Sequence, residues 1–263
     1  MTPVTPAPTP APFHRAPPFA LRRIGERWRW AAPVALALVA VLGALATIRR
    51  GELLFWDRAI TDLCVSLRSA WIDHLALGIS RLGSTPVVLA AGVVGALVAA
   101  RRCRHVAAVM LLVVATRPPL EWLVKELVGR PRPAGARLVT GTGFSYPSGH
   151  VLAAAATWGF VPLIAGLYIH RRWLWWTISG LAWSLIALMA WSRVWLGVHW
   201  TTDVLASLLL SVVALAAAEV LIDRRHHADT PCHGSTRTTY EPRPTARRVA
   251  TISPAATRRT IGA

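Results

Sequence analysis

The sequence predicts an all-α protein: a six-transmembrane helix bundle with one interfacial helix and disordered tails. Three observations predict it. Of 263 residues, 54% are hydrophobic and only 16% charged. The apolar residues are segregated into long Ala/Leu/Val runs broken by short arginine-rich punctuation, the pattern of a polytopic membrane protein. Tryptophans gather at the ends of these runs, where amphipathic rings sit at headgroup level.

Residues 1–28 open with "MTPVTPAPTPAPFHRAPPFA", too rich in Pro, Thr and Ala to bury a core, and read as a disordered basic tail. The membrane domain is expected over 29–222, and a second disordered basic tail over 223–263. Six spans are expected, at about 31–48, 82–100, 105–125, 150–170, 173–191 and 203–222. At 1.5 Å per residue each approaches the thickness of a bilayer core. The first span reads as a retained anchor, with a cleaved signal peptide as the alternative. Between the first two spans, Trp56, Ile60, Leu63, Leu67 and Trp71 recur at helical spacing, which predicts one amphipathic helix lying on the membrane surface.

Charge in the short loops sets the orientation. "RRIGERWRW", "RRCR", Arg171-Arg172 and Arg224-Arg225 fall on one side, which makes that side and both termini cytoplasmic in a multi-pass plasma-membrane protein. Arg49, Arg50, Arg58, Arg68 and Arg81 lie on the other side and run against the rule. The net charge of +17 does not imply nucleic acid, because the arginines sit in tails and loops rather than along a folded face with stacking aromatics. Cys64, Cys103 and Cys232 lie far apart, and no disulfide framework follows. His226, His227, Cys232 and His233 fit no closed zinc site. No residue pattern specifies an oligomeric state.

Three polar clusters interrupt this apolar chain, all on the expected outer side. "KELVGRPRP" closes the third span, and its Lys125 is the only lysine among 29 Lys and Arg residues. A compact ammonium at that one place suggests a point-charge contact. "GTGFSYPSGH" opens the fourth span. There Pro147-Ser148-Gly149 leads into a helix, so a hydroxyl and free backbone N–H groups make an anion site, with His150 in the first turn. "WSRVWLGVHWTTD" joins the last two spans and places His199 and Asp203 four apart, on one face of a helical segment. A carboxylate beside an imidazole fixes its tautomer and makes the far nitrogen more nucleophilic, while Arg193 holds an anion nearby. Arg117-Pro118-Pro119 interrupts the third span. Arg117, Glu121 and Lys125, each four apart, are placed to form a ladder facing the bundle interior, unless the bilayer boundary lies lower.

Written as K-x6-R-P (Lys125, Arg132, Pro133), P-S-G-H (Pro147 to His150) and S-R-x5-H-x3-D (Ser192, Arg193, His199, Asp203), the clusters resemble the three-part signature of the type 2 phosphatidic acid phosphatase and vanadium haloperoxidase superfamily. The six-span layout is similar to its membrane lipid phosphatase branch, of the undecaprenyl diphosphate phosphatase kind. The resemblance covers roughly residues 50–222. It implies phosphate binding by Lys125, Arg132, Ser148, Gly149 and Arg193, and catalysis by His199, Asp203 and His150. His199 would be the nucleophile that forms a phosphohistidine, Asp203 its orienting carboxylate and His150 the proton donor and then base. No cluster of acidic ligands accompanies these residues, so no metal and no cofactor is expected.

The expected function is an integral membrane phosphatase acting at the outer face on a lipid phosphate or diphosphate of the polyprenyl diphosphate, phosphatidylglycerol phosphate or phosphatidic acid type. Its partners are that lipid and the bilayer. The alternatives are a vanadate-dependent haloperoxidase-like enzyme, and a non-catalytic phosphate-binding membrane protein or transporter.

Overall fold

A computed structural model of the chain describes residues 19–49, 52–135 and 137–228. Among the described residues the structure is helical throughout, with no strand: α1 (Phe19–Arg49), α2 (Phe55–Ser66), α3 (Ala70–Arg81), α4 (Thr85–Ala100), α5 (Arg104–Val128), α6 (Gly149–Trp158), α7 (Val161–Tyr168), α8 (Arg172–Trp195) and α9 (Thr201–Ala228). Most of both expected tails, including Cys232 and His233, lie outside the described residues, whereas His226 and His227 fall in the last turns of α9.

Five stretches are long and apolar enough to cross a membrane: Ala31–Arg49, Arg104–Val128, Gly149–Tyr168, Arg172–Trp195 and Thr201–Ile222. The expected span at 82–100 is shorter than anticipated. Its helix, α4, begins only at Thr85, and α3 and α4 together make a sixth span if they are taken as one element bent by 49° at Leu82–Ser84. The expected span at 150–170 is itself two helices, α6 and α7, which meet at Gly159-Phe160.

The stretch Gly149–Tyr168 is the central one: 67% of it is buried, against 22–44% for the other four spans. Its sequence explains why. Val151 to Ala156 includes four consecutive alanines, all buried, and small residues let neighbouring backbones approach closely where lipid supplies no hydrophobic drive. α5, α8 and α9 pack around it, α1 lies along α9, and α4 lies along α5. Among the described residues, two large apolar clusters and a small one at Val39, Leu152 and Leu210 fill the bundle. One joins Val151, Ala154, Met189, Val194, Leu196, Val198 and Val204 with Cys64 and Ala76 of the surface helices. The other, toward the opposite end, joins Ala99, Val106, Met110, Phe160, Leu215 and Ala218.

The surface segment differs from the single amphipathic helix expected. It is two helices, α2 and α3, broken at Leu67–Ser69, so Leu67 and Trp71 do not continue the stripe of Trp56, Ile60 and Leu63. The break has a local cause. Arg68 turns inward to donate to the Trp195 carbonyl at 3.4 Å, and Ser69 is extended as the N-cap of α3. Phe55, Trp56, Leu63 and Trp71 are exposed, while the face of α2 toward the bundle buries Asp57 and Cys64.

The expected interruption of the third span also differs. α5 runs unbroken through Pro118 and Pro119. The ladder itself is present and faces inward, with the Arg117 side chain only 10% exposed. Cys64 is a free buried thiol.

Tyr146 ties the loop before α6 to α1, its buried hydroxyl donating to the Val39 carbonyl at 2.7 Å. Removing one such bond costs about 1 kcal/mol, or roughly 2–4 °C in a chain of this size. Tyr146→Phe is therefore expected to lower the melting temperature in detergent by about that much, as read by a thermal melt of the purified protein.

Candidate active site

The site begins where α5 ends. Gly129 closes that helix in the left-handed region (φ 61°), returning its N–H to the Lys125 carbonyl at 2.9 Å. The turn drives the next side chain, Arg130, into the core, where it is fully buried. The loop then folds back on itself: the Ser145 N–H donates to the Arg130 carbonyl at 2.8 Å, and Trp200 Nε1 donates to the Pro131 carbonyl at 3.0 Å. In this way "GRPRP" is fastened both to the P-S-G-H turn and to the start of α9.

Arg132 points the other way. Its guanidinium donates to the carbonyls of Thr142 (2.8 Å), Gly143 (3.0 Å), Phe144 (3.2 Å) and Val198 (2.8 Å). The same Nη1 that bonds Val198 lies 3.2 Å from His199 Nε2. Burial lowers the guanidinium pKa, and the nearby Asp203 charge works against that shift.

The partners of His199 fix its tautomer. Nδ1 lies 2.8 Å from the Ser145 carbonyl, which can only accept, so Nδ1 carries the proton. Nε2 faces Arg132, which can only donate, so Nε2 keeps its lone pair. Asp203 stands slightly farther away, its Oδ2 being 3.6 Å from Nδ1. The direct orienting contact is therefore the Ser145 carbonyl, with the Asp203 carboxylate behind it. Burial, above all, pushes the His199 pKa down to about 4; Arg132 and Arg193 act in the same direction, and Asp203 opposes them.

Asp203 is fixed at both oxygens. Oδ2 accepts the Trp200 N–H at 2.9 Å, closing the first turn of α9 as a capping box does. Oδ1 accepts Arg130 Nη1 at 2.5 Å. Arg193, in the last turn of α8, donates Nη1 to Ser80 of α3, while its Nε is buried without a partner.

At the head of α6, Ser148 is the N-cap and is fully buried. Its N–H donates to Ser207 Oγ at 2.7 Å, and its own Oγ has no partner. Gly149 leaves room for the Glu121 carboxylate, which a Cβ there would push aside. That carboxylate accepts Lys125 Nζ at 2.9 Å and Arg117 Nη1 at 2.6 Å, and Arg117 also reaches the Gly149 carbonyl at 3.3 Å. His150 lies within electrostatic range of Arg193, His199, Arg117 and Lys125. Lys125, Arg132 and His150 are half-buried and line the accessible side of the cluster, whereas Arg193 and His199 sit beneath.

The structure thus gathers the eight expected residues at one end of the bundle. Arg132, His199 and Asp203 are joined by direct contacts, Ser148 and Gly149 sit at the head of α6, and Lys125 is held by Glu121. Among the described residues no group of three or more His, Cys, Asp or Glu converges to hold a metal ion.

Sequence reasoning missed three participants. Arg130 donates to Thr202 Oγ1 (2.7 Å), Asp203 (2.5 Å) and Asp57 (2.8 Å), and stacks 5.4 Å from the Trp200 ring. Asp57, from α2, is fully buried against it. Ser145 supplies the carbonyl that holds His199. For Asp57 a signal existed: it shares the buried stripe of a surface helix with Cys64, an unusual place for a carboxylate.

Residues 103–226 match the PAP2 superfamily. The chain is 33% identical over 190 residues to a Bacillus subtilis protein named phosphatidylglycerophosphatase B, covering 69% of this chain and 90% of that relative. The chain belongs to the PAP2 superfamily. A shorter match, 42% identical over 69 residues, covers 26% of this chain and 29% of an undecaprenyl-diphosphatase from Sulfolobus acidocaldarius. Among solved structures, the transmembrane PAP2 type phosphatidylglycerolphosphate phosphatase of B. subtilis superposes with a TM-score of 0.62 at 28% identity, over 72% of this chain and 96% of that one. As a PAP2 protein this chain is a membrane-spanning phosphoric ester hydrolase, as the resemblance in its motifs anticipated.

With its pKa near 4, the His199 ring is expected to stay neutral as pH falls from 8 to 5 and to gain a proton only on further acidification. Ring-nitrogen NMR of histidine-labelled protein, assigned with His199→Ala, checks this. A titration near the ordinary value of about 6.5 would contradict it.

Proposed function

We propose that this PAP2 protein hydrolyses a lipid phosphate at the outer face of the membrane through a phosphohistidine on His199. The observation that carries the reading is the tautomer: the Ser145 carbonyl holds the Nδ1 proton and leaves the Nε2 lone pair beside the Arg132 guanidinium. An imidazole so held is a nucleophile placed where a phosphate oxygen would be bound.

In this mechanism the phosphoryl oxygens lie among Arg132, Arg193, Lys125, the Ser148 hydroxyl and the Gly149 N–H. The unpartnered Ser148 Oγ and Arg193 Nε support that placement, since buried polar atoms are normally paired. Nε2 attacks phosphorus as the bond to the lipid oxygen breaks, and protonated His150 gives its proton to that leaving oxygen. The now neutral His150 takes a proton from water, whose oxygen attacks phosphorus. The N–P bond breaks, and inorganic phosphate and neutral His199 are regenerated. The cations offset charge that builds on the transferring group, which is where most of the catalytic benefit of such a transfer resides.

Three cationic side chains on one anion, with no convergent acidic ligands among the described residues, favour a metal-independent reaction. The outward orientation rests on the arginines of the short loops. For the substrate, the relative matched over nine-tenths of its length bears the name of a phosphatidylglycerophosphatase, and the undecaprenyl-diphosphatase match covers under a third of that protein. A glycerophospholipid monophosphate is therefore ranked first, and a polyprenyl diphosphate second.

Phosphate release from phosphatidylglycerol phosphate, phosphatidic acid and a polyprenyl diphosphate in detergent, with EDTA present, tests the reading. Wild type is expected to turn over with EDTA, fastest on phosphatidylglycerol phosphate, and His199→Ala to lose at least about 10³-fold in rate. Loss of activity with EDTA would refute the metal-free step, and wild-type turnover by His199→Ala would refute the nucleophile.

A further inference from the structure

We propose that Asp57, on the surface helix α2, is a positioning residue for the reaction, holding Asp203 and through it His199 in the geometry of attack. The proposal rests on the reading of His199 as nucleophile.

The carboxylate of Asp57 is fully buried and receives four hydrogen bonds. Oδ1 accepts the Thr202 N–H at 2.9 Å. Oδ2 accepts Thr202 Oγ1 at 2.7 Å, Arg130 Nη2 at 2.8 Å and the Leu53 N–H at 3.0 Å. Three of the four donors belong to residues that themselves touch or adjoin Asp203. Arg130 reaches Asp203 Oδ1 with its other nitrogen, and Thr202 is its chain neighbour in the first turn of α9. Asp57 thus fixes Arg130 from one side and the head of α9 from the other, and the Asp203 carboxylate is left with one position. That position places Oδ2 behind the Nδ1 edge of His199.

Stability alone does not account for this arrangement. A buried ion pair is often matched or bettered by well-packed apolar side chains, and the rest of the buried face of α2 is apolar. A carboxylate there is instead suited to directing a neighbouring charge. With Asp57 neutral, the Arg130 cation is offset by Asp203 from one side only. It then draws Oδ1 toward itself and turns the carboxylate away from the imidazole. The phosphate-binding residues Lys125, Arg193, Ser148 and Gly149 donate no hydrogen bond to Asp57, so substrate binding is expected to survive the change while attack slows.

The test compares wild type, Asp57→Asn and Thr202→Val as full-length protein in detergent, with phosphatidylglycerol phosphate as substrate. Three quantities are read: kcat and KM, the single-turnover rate of acid-labile phosphoenzyme formation, and the melting temperature. Asp57→Asn is expected to lower kcat and phosphoenzyme formation about 10²-fold, with KM within about threefold of wild type; Thr202→Val is expected to lose about tenfold in the same pattern. A merely structural role would lower the melting temperature and leave the rate of the folded fraction unchanged. That result, or a loss confined to KM, would overturn the proposal. Should Asp57→Asn fail to fold, Thr202→Val decides by the same criteria. If wild type forms no phosphoenzyme, the reading of His199 fails separately; wild-type kcat in a folded variant would then still refute positioning by Asp57.

Discussion

One buried cation organises this end of the molecule. Arg130 lies between Asp57 and Asp203, at 2.8 and 2.5 Å, with no part of any of the three side chains exposed. Taking three charges out of water is costly, and only close pairing offsets it; deleting one partner from such a group typically costs about 3–5 kcal/mol. The elements that carry these residues are therefore tied to one another: α2 through Asp57, the loop after α5 through Arg130, and the head of α9 through Asp203 and Thr202. The cluster carries one net negative charge and lies within electrostatic range of Arg132, which donates to four backbone carbonyls and faces His199 Nε2. It thus supplies a counter-charge from beneath without placing a carboxylate where a phosphate would bind.

The cationic side of the site shows the complementary device. Lys125 and Arg117 both rest on Glu121, whose carboxylate presses against Gly149 at the helix terminus expected to take an anion. In the proposed reaction a phosphate offers Lys125 a second, doubly charged partner at that terminus. Glu121 then remains paired with Arg117, so α5 need not bury an unpaired charge when the lysine turns away. Gly149 makes this packing possible, because any side chain would displace the carboxylate.

Much of this was legible from the sequence, and the rest was not, for definable reasons. Segregated apolar runs gave the helices and most of the spans, because a lipid-facing helix must be apolar along its length. The three motifs gave the eight candidate residues that the fold brings to one end of the bundle, because charged groups beside a membrane stand out against an alanine-rich background. The breaks in the surface segment and in the fourth span were not legible. They depend on Arg68 turning inward to the Trp195 carbonyl and on the local turn at Gly159-Phe160, not on hydrophobic period. The continuity of α5 through Pro118-Pro119 was likewise a matter of tertiary context. Asp57 and Arg130 escaped because their meaning lies in a pairing 73 residues apart. The direct partner of His199 Nδ1 escaped because it is a backbone carbonyl, which carries no side-chain signature.

The most direct test is an experimental structure of the protein soaked with orthovanadate, which adopts the five-coordinate geometry of phosphoryl transfer. The account predicts vanadium bonded to His199 Nε2, its oxygens contacting Arg132, Arg193, Ser148 and the Gly149 N–H, and Lys125 Nζ moved from Glu121 toward the anion. Vanadate bound away from His199, or bound there with Nδ1 rather than Nε2 facing the metal, would contradict it.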